Sequence, residues 1–403
     1  MSAGRGPGPA PDGGVLGPRA LGRAVLARQH LLERSELTAL GMIEHLVGLQ
    51  AQAPWAPYTG LWTRLAGFTH AALADRILDR SAVRIVLMRG TIHLVTAADA
   101  FALPPVTTAP LERFLRTNAT YGPQLRDIDL GELAARAREL LEARPLGPAE
   151  LGEALSPRWP DVDPGSLTYG ARCVLPLVQI PPRAVWGRSG PTTWTTTRAW
   201  LSPTSAESGV LAPGTRLPGA TAPLSAEGLV LRYLEAFGPA SVADAQQWSG
   251  LSRLGAVFER LRPRLVTFRA EPSPGARNGR ELFDLPGAPR PAQDIAAPVR
   301  FLPEFDNLLV AYADRTRLVS EQNRRRLWRS NGAVPGAVLV DGVAAGSWTV
   351  RRAGRVATLA VEPFDALTRS QWAQTEAEAD RLVRFVADDA DTHRVQRHDA
   401  VGS

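Results

Sequence analysis

The chain has 403 residues, 44% hydrophobic and 21% charged, with a net charge of +6 and a pI near 10.3. That is enough material for two to four packed units, and no apolar run reaches the roughly 18 residues of a membrane span. A single cysteine, Cys173, rules out an internal disulfide and reads as a small core residue, while the absence of lysine among the 46 basic residues removes Schiff-base catalysis by a side-chain amine.

Met1 to Gly14 is rich in Gly and Pro without the apolar centre of a signal or transit peptide. It reads as a disordered leader, and a cytoplasmic protein is expected. A first unit, 15–129, opens with two helices between Leu21 and Gln50, the second capped by Ser35. Gln50 and Gln52 follow at the helix exit, ahead of Pro54 and Pro57, which should stop any helix. Helices are predicted over 61–65 and, capped by Thr69, over 68–78; strands over 83–87 and 91–95 flank Met88-Arg89-Gly90 as a hairpin. Helices followed by such a hairpin outline a winged helix-turn-helix. A second unit, 130–200, repeats that order, with helices over 133–141, from 146 and over 167–178, then strands over 184–190 and 192–197. A Pro/Ser/Gly-rich linker spans 201–225. The third unit, 226–290, has helices over 228–237, from Ser241 and over 251–261, then strands over 265–268 and 281–285. The remainder, 291–403, holds a β-prone run over 299–312 and a basic stretch over 315–328. A hairpin over 337–348 turning at Asp341-Gly342, a strand over 356–361 and a closing helix within 365–387 follow. The predicted fold class is α+β: three tandem winged helix-turn-helix units and a C-terminal β-rich region.

Gln50 and Gln52 are two apart, so in extended backbone they project to one side, each offering donors and an acceptor without titrating. Such a pair suits a reaction that needs no general acid. A purine alkylated at N7 is already cationic and leaves as a neutral base. A general acid, worth on the order of 10² to 10⁴ in rate, is then dispensable. Positioned water and fixed dipoles remain. On the residues alone, the simpler assignment is two amides satisfying backbone groups at a helix end. Glu304 and Asp306 are the rival pair, since carboxylates are the usual choice at glycosidic bonds. Arginines such as Arg300 and Arg315 stand ready to neutralise them, which favours a structural role. Arg89 and His93 read as phosphate or pocket contacts, with a buried histidine the alternative; Trp55 and Tyr58 either stack on a lesion or pack in the core. Arg351, Arg352 and Arg355, beside the hairpin, are better placed for phosphate than Arg324 to Arg326, which read equally as a solvated face. No metal-ligand spacing and no Gly-rich loop before a helix occur, so neither a metal nor a nucleotide cofactor is expected. The positive charge points to a polyanionic partner.

Several segments, in order, resemble the AlkZ/YcaQ-like winged-helix DNA glycosylase family. They are Gly48-Leu49-Gln50-Ala51-Gln52-Ala53-Pro54, Pro57-Tyr58-Thr59-Gly60-Leu61-Trp62 and Met88-Arg89-Gly90-Thr91-Ile92-His93-Leu94-Val95. Leu175-Pro176-Leu177-Val178-Gln179, Leu302-Pro303-Glu304-Phe305-Asp306-Asn307-Leu308-Leu309 and Val340-Asp341-Gly342 continue the match, which covers roughly residues 20 to 390. The Gln-Ala-Gln form is similar to the AlkZ branch; the YcaQ branch has an acidic second position. The resemblance implies three tandem winged helices forming a concave DNA-binding surface. It implies a monofunctional glycosylase for bulky cationic N7-alkylpurines, including interstrand crosslinks in some members, in repair or in self-resistance to an alkylating natural product. Catalysis would fall to Gln50 and Gln52, and a DNA-contacting hairpin to Val338–Trp348, with Asp341 and Gly342 at its turn. The expected partner is double-stranded DNA carrying such lesions, bound by a monomer without a cofactor or membrane, and the resemblance implies a nucleoid-associated location in the cytoplasm. The alternative is a non-catalytic winged-helix transcription regulator, which would tolerate loss of both glutamines. Against it stands the lack of a heptad pattern or ligand-binding module.

Overall fold

The computed structural model describes residues 13–202, 222–272, 278–328 and 334–398. The predicted leader up to residue 12 and most of the predicted linker lie outside the described residues.

A short strand, β1 (Val15–Leu16), precedes α1 (Pro18–Arg28) and α2 (Ala39–His45). Thr38 rather than Ser35 caps α2, its hydroxyl accepting from Gly41 N at 3.1 Å. After β2 (Leu49–Gln50) a helix begins almost at once, α3 (Ala56–Trp62), where the prolines had argued against one. Pro57 sits in its first turn, where a missing N–H loses no partner, so it starts the helix instead of barring it. Thr69 caps α4 (His70–Leu78) as predicted. The predicted hairpin is β3 (Ala82–Val86) and β4 (Ile92–Thr96). Then come α5 (Ala97–Ala102) and α6 (Pro104–Thr117), absent from the elements predicted above; three prolines and three threonines across 104–117 blur the helical period.

Helices α7 (Leu130–Ala143), α8 (Pro148–Leu155) and α9 (Pro164–Val174) bury Leu133, Leu151 and Leu167 against one another. Helix α9 stops short of its predicted end because Pro176 biases Leu175 away from helical backbone. The released chain forms β5 (Leu177–Gln179), which pairs with β6 (Trp194–Thr196). The predicted strand over 184–190 is instead a loop of turns. Strand β5 also pairs with β3, placing Arg84 opposite Gln179. The β elements of the first two segments thereby merge into one sheet, ordered β2-β4-β3-β5-β6.

Helix α10 (Thr197–Leu201) leads out, and α11 (Ala226–Phe237), α12 (Val242–Ser249) and α13 (Gly255–Leu261) form the third helical set. Ser241 and Asp244 cap α12 reciprocally. Strands β7 (Val266–Ala270) and β8 (Glu281–Asp284) form the predicted pair, and β1 joins β7 in parallel. The β-prone run over 299–312 splits after Pro303 into β9 (Arg300–Leu302) and α14 (Asn307–Val310). Then follow α15 (Glu321–Leu327), β10 (Gly336–Val340), β11 (Val343–Ala353), β12 (Val356–Pro363), α16 (Arg369–Val386) and β13 (Thr392–Arg397). Their sheet is ordered β13-β12-β11-β10-β9. The fold is α+β, and the helices-then-strands order recurs as the sequence indicated. A core running from Val25 and Leu26 through Phe237 to Leu339 joins the N-terminal, third and C-terminal parts. Among the described residues no helix is long and apolar enough to cross a membrane.

Candidate active site

Val47 (φ 55) and Gly48 (φ 92) turn the chain out of α2. A Cβ on Gly48 would lie 2.7 Å from Val95 Cγ1, so only glycine lets β2 enter against β4 at this point. Gln50 is then in register with His93, and Ala51 N donates to Ile92 O at 2.7 Å. There the strand ends. The chain bends at Gln52, which is exposed, whereas Gln50 is buried, so the two amides do not share one open side as continuous extended backbone would place them. Gln52 Oε1 accepts from Ile92 N at 3.1 Å, and Gln50 Oε1 accepts from Arg89 Nη2 at 3.0 Å. Both donors are N–H groups that can only donate, which fixes each amide with its carbonyl against the protein. Each oxygen retains a second lone pair.

Arg89 lies in the turn between β3 and β4 with left-handed backbone (φ 60). It also donates to Trp248 O and, at 3.2 Å, to Asn307 Oδ1. Asn307 Nδ2 in turn donates to Gly48 O at 3.1 Å. Enclosure, aided by the charge of Arg315, lowers the Arg89 pKa to about 10, so it remains cationic at neutral pH. Arg84, buried on β3, donates from Nη2 to Ala51 O at 2.7 Å, and burial lowers its pKa to about 10 as well. Arg84 has no ion pair among the described residues. The Gln-Ala-Gln segment is thus gripped by Arg84, Arg89 and Asn307. Arg84 and Asn307 were not singled out from sequence, because a lone arginine in a β-rich run and an asparagine after an acidic pair leave no periodic trace. The only sequence signal was the Leu302–Leu309 segment as a whole.

Three residues proposed as DNA contacts face inward instead. His93 is fully buried, its Nδ1 is 3.1 Å from Thr91 O, and burial pulls its pKa down to about 3, so it is neutral and out of reach of phosphate. Tyr58 is buried too; its hydroxyl donates to Ala184 O at 2.9 Å and accepts from Trp186 N at 3.1 Å. The Arg89 guanidinium is taken up by its three protein acceptors.

Of the rival acids, Asp306 forms a bidentate pair with Arg64, both contacts at 2.9 Å and both side chains buried. The neutralising arginine is Arg64, not Arg300 or Arg315; Arg300 donates to Leu31 O at 3.0 Å and lies 3.7 Å from Glu378. Glu304 makes no ion pair among the described residues and lines a cleft of about 1020 Å³. Surrounding protein raises its carboxyl pKa above the usual range, although the residue keeps solvent-exposed surface. Trp55, exposed and three residues beyond Gln52, lies on the same cleft, edge-on to Trp186 with ring centres 5.5 Å apart. Trp348 is anchored there by donating Nε1 to Leu302 O at 2.8 Å. Arg352 also lines the cleft, paired with Asp389 through contacts of 2.7 and 2.5 Å.

The Asp341-Gly342 turn exists as predicted, but it docks on α1 instead of projecting. Asp341 pairs with Arg19 at 2.7 Å and with Arg23, and a Cβ on Gly342 would lie 2.5 Å from Leu26 Cδ1. The exposed hairpin end is that of β11 and β12, where residues 351–355 are all exposed. Arg351 there carries no ion pair among the described residues, and Arg355 pairs with Asp391 at 2.6 Å. Among the described residues no group of three or more His, Cys, Asp or Glu side chains is arranged to hold a metal ion.

Residues 43–385 match the family model described as DNA glycosylase AlkZ-like. No curated protein matches the sequence. Among solved structures, the chain is similar to Streptomyces sahachiroi DNA glycosylase AlkZ, with a TM-score of 0.71 at 20% identity, covering 95% of this chain and 100% of that one. At that identity the likeness speaks for the fold, and the family model speaks for descent. With 343 of 403 residues inside the matched range (43–385), the chain belongs to the AlkZ-like DNA glycosylase family.

Proposed function

We propose that this DNA glycosylase is monofunctional, that it hydrolyses the N-glycosidic bond of bulky cationic N7-alkylpurine nucleotides in duplex DNA, and that Gln50 and Gln52 are its catalytic pair. The observation that carries the reading is the pinning of both amides by donors, Arg89 on one and Ile92 N on the other. As the C1′–N9 bond breaks, its electron pair passes to the purine and cancels the charge on the N7-alkylated ring. The sugar is left as an oxocarbenium-like centre, which water attacks at C1′, releasing its proton to solvent. Gln52 Oε1, at the surface, has a lone pair left to accept an O–H of that water; Arg89 holds the Gln50 amide from rotating away. The lack of lysine supports a hydrolytic rather than a lyase course. The 1020 Å³ cleft beside the motif supports a bulky lesion, since a methyl group would leave nearly all of it unfilled. Arg351 on the exposed β11–β12 hairpin is the foremost proposed phosphate contact; Arg352 and Arg355 beside it are held by Asp389 and Asp391 and stand second to it. Interstrand crosslinks, and roles in repair or self-resistance, fall within the same proposal.

The test is single-turnover release of 7-methylguanine, and of a larger N7 adduct, from duplex DNA. Gln50→Ala with Gln52→Ala should slow release by about 100-fold or more, the scale of losing oriented dipoles at a reacting centre. Equal release by both proteins would remove the assigned pair.

A further inference from the structure

The cleft next to the Gln-Ala-Gln segment has a charge opposite to that of the chain. Among the described residues its walls carry Glu304, Asp388 and Asp389 against one cation, Arg352, in a protein of net charge +6. Arg352 is already paired with Asp389. Asp388 contacts Trp186 Nε1 and His70 Nδ1, each at 3.3 Å, and burial holds the His70 pKa below its ordinary value; Arg352 feels the charge of both Asp388 and Asp389, so two carboxylates share one guanidinium. Glu304 has no ionic partner among the described residues. A DNA phosphate is repelled from such a place. The same cleft is lined by three indoles, Trp55, Trp186 and Trp348. Trp186 is held rigid, stacked on His70 at 3.8 Å with an interplanar angle of 8°, and His70 stacks in turn on Phe385 at 4.1 Å. Flat apolar faces beside an excess of carboxylate over guanidinium recognise a flat ring that carries a positive charge, by stacking, cation–π attraction and charge pairing. The volume, about 1020 Å³, is that of a site for a drug-sized body rather than for a nucleobase alone.

We propose that this cleft is a specificity subsite for the alkyl portion of the lesion, and that it takes a planar aromatic body bearing a protonated amine. The proposal rests on the glycosylase reading above for where the ligand comes from: Trp55, Ala56 and Thr59, on the segment that directly follows Gln52, line the cleft, and the N7 substituent of a base held at the glutamines is taken to enter it from that side. Glu304 is the residue that meets the amine, and Trp55 the outer stacking face.

The experiment uses the full-length protein and duplexes with one guanine modified at N7. One duplex carries an acridine half-mustard adduct whose ring bears a protonated tertiary amine; a second carries the same acridine with a methoxy group in place of the amine; a third carries a methyl. Wild type should release the cationic adduct about tenfold faster than the neutral one at subsaturating enzyme, the scale of one partly desolvated cation contact. Glu304→Gln should bring that ratio down to about two or less, and Trp55→Ala should slow both acridine adducts relative to the methyl one. Free 9-aminoacridine, titrated against tryptophan fluorescence without DNA, should bind wild type several-fold more tightly than Glu304→Gln. Equal release of the two acridine adducts by wild type, or an unaltered ratio in Glu304→Gln, overturns the subsite. Release of none of the three bases by wild type would sink the glycosylase reading instead. The 9-aminoacridine titration would then decide the cleft by itself: a loss of binding in Glu304→Gln upholds it, and equal binding removes it.

Discussion

Gln50 presents its carbonyl to a guanidinium that Trp248 and Asn307 also hold, and this is what distinguishes it from a surface amide free to rotate. Replacing Arg89 by Met removes the clamp while keeping most of the volume. Single-turnover release should fall by about 100-fold, as expected for a misplaced reacting group, with affinity for undamaged DNA changing far less. Arg89→Lys should restore part of the rate; loss of affinity and rate together would assign Arg89 to the DNA contact instead. His93 supplies a prediction about pH. Unfolded, it titrates near 6.5; folded, its pKa is about 3. Between those values the unfolded chain binds a proton that the native protein excludes, so this stabilising difference is complete above pH 6.5 and erodes as pH falls toward 3. Urea unfolding at pH 7 and pH 5 should show wild type losing about 2 kcal/mol more than His93→Asn over that interval. Equal losses would mean that the imidazole is not kept neutral.

The buried pair Arg64–Asp306 pins the end of α3 to the loop between β9 and α14, which also carries Glu304 and leads to Asn307. Asp306→Ala strands a guanidinium in the interior and should cost about 3–5 kcal/mol; adding Arg64→Met should recover most of it, read as thermal unfolding. A single variant as stable as wild type would show that the pair is not needed to join these elements. What could be read from the sequence follows the same division. Helices α7 and α11 show as periodic apolar faces, and β10–β11 shows through its Asp-Gly turn, because those signals are local. Helix α3 was hidden by prolines whose meaning depends on whether they fall at a first turn or inside. The Gln-Ala-Gln segment stood out, but its clamp did not: Arg84 comes from β3 and Asn307 from more than 200 residues away, and only tertiary pairing brings them together. The Asp-Gly turn was found, yet its direction was set by Arg19 and Arg23 on α1.

For the whole molecule, the +6 charge is set against an acidic cleft, and the proposals above assign duplex binding and lesion reading to different surfaces. Arg351→Ala should weaken binding to undamaged duplex and lower the slope of log affinity against log salt by about 0.9, one phosphate contact. Arg355, already paired with Asp391, should matter less. Fluorescence anisotropy across a chloride series measures both; an unchanged slope for Arg351→Ala would place the duplex elsewhere. The merged sheet β2-β4-β3-β5-β6 has a further consequence. The strand that leads into the Gln-Ala-Gln segment forms one rim of a ladder whose opposite rim, Trp194–Thr196, is supplied well over a hundred residues later. A fragment ending at residue 129 would leave Ile85 and its neighbours on β3 paired with β4 alone and without β5 on their other side, so the amino-terminal piece is not a transplantable module. Any minimal enzyme cut from this chain has to carry 177–196 along with it.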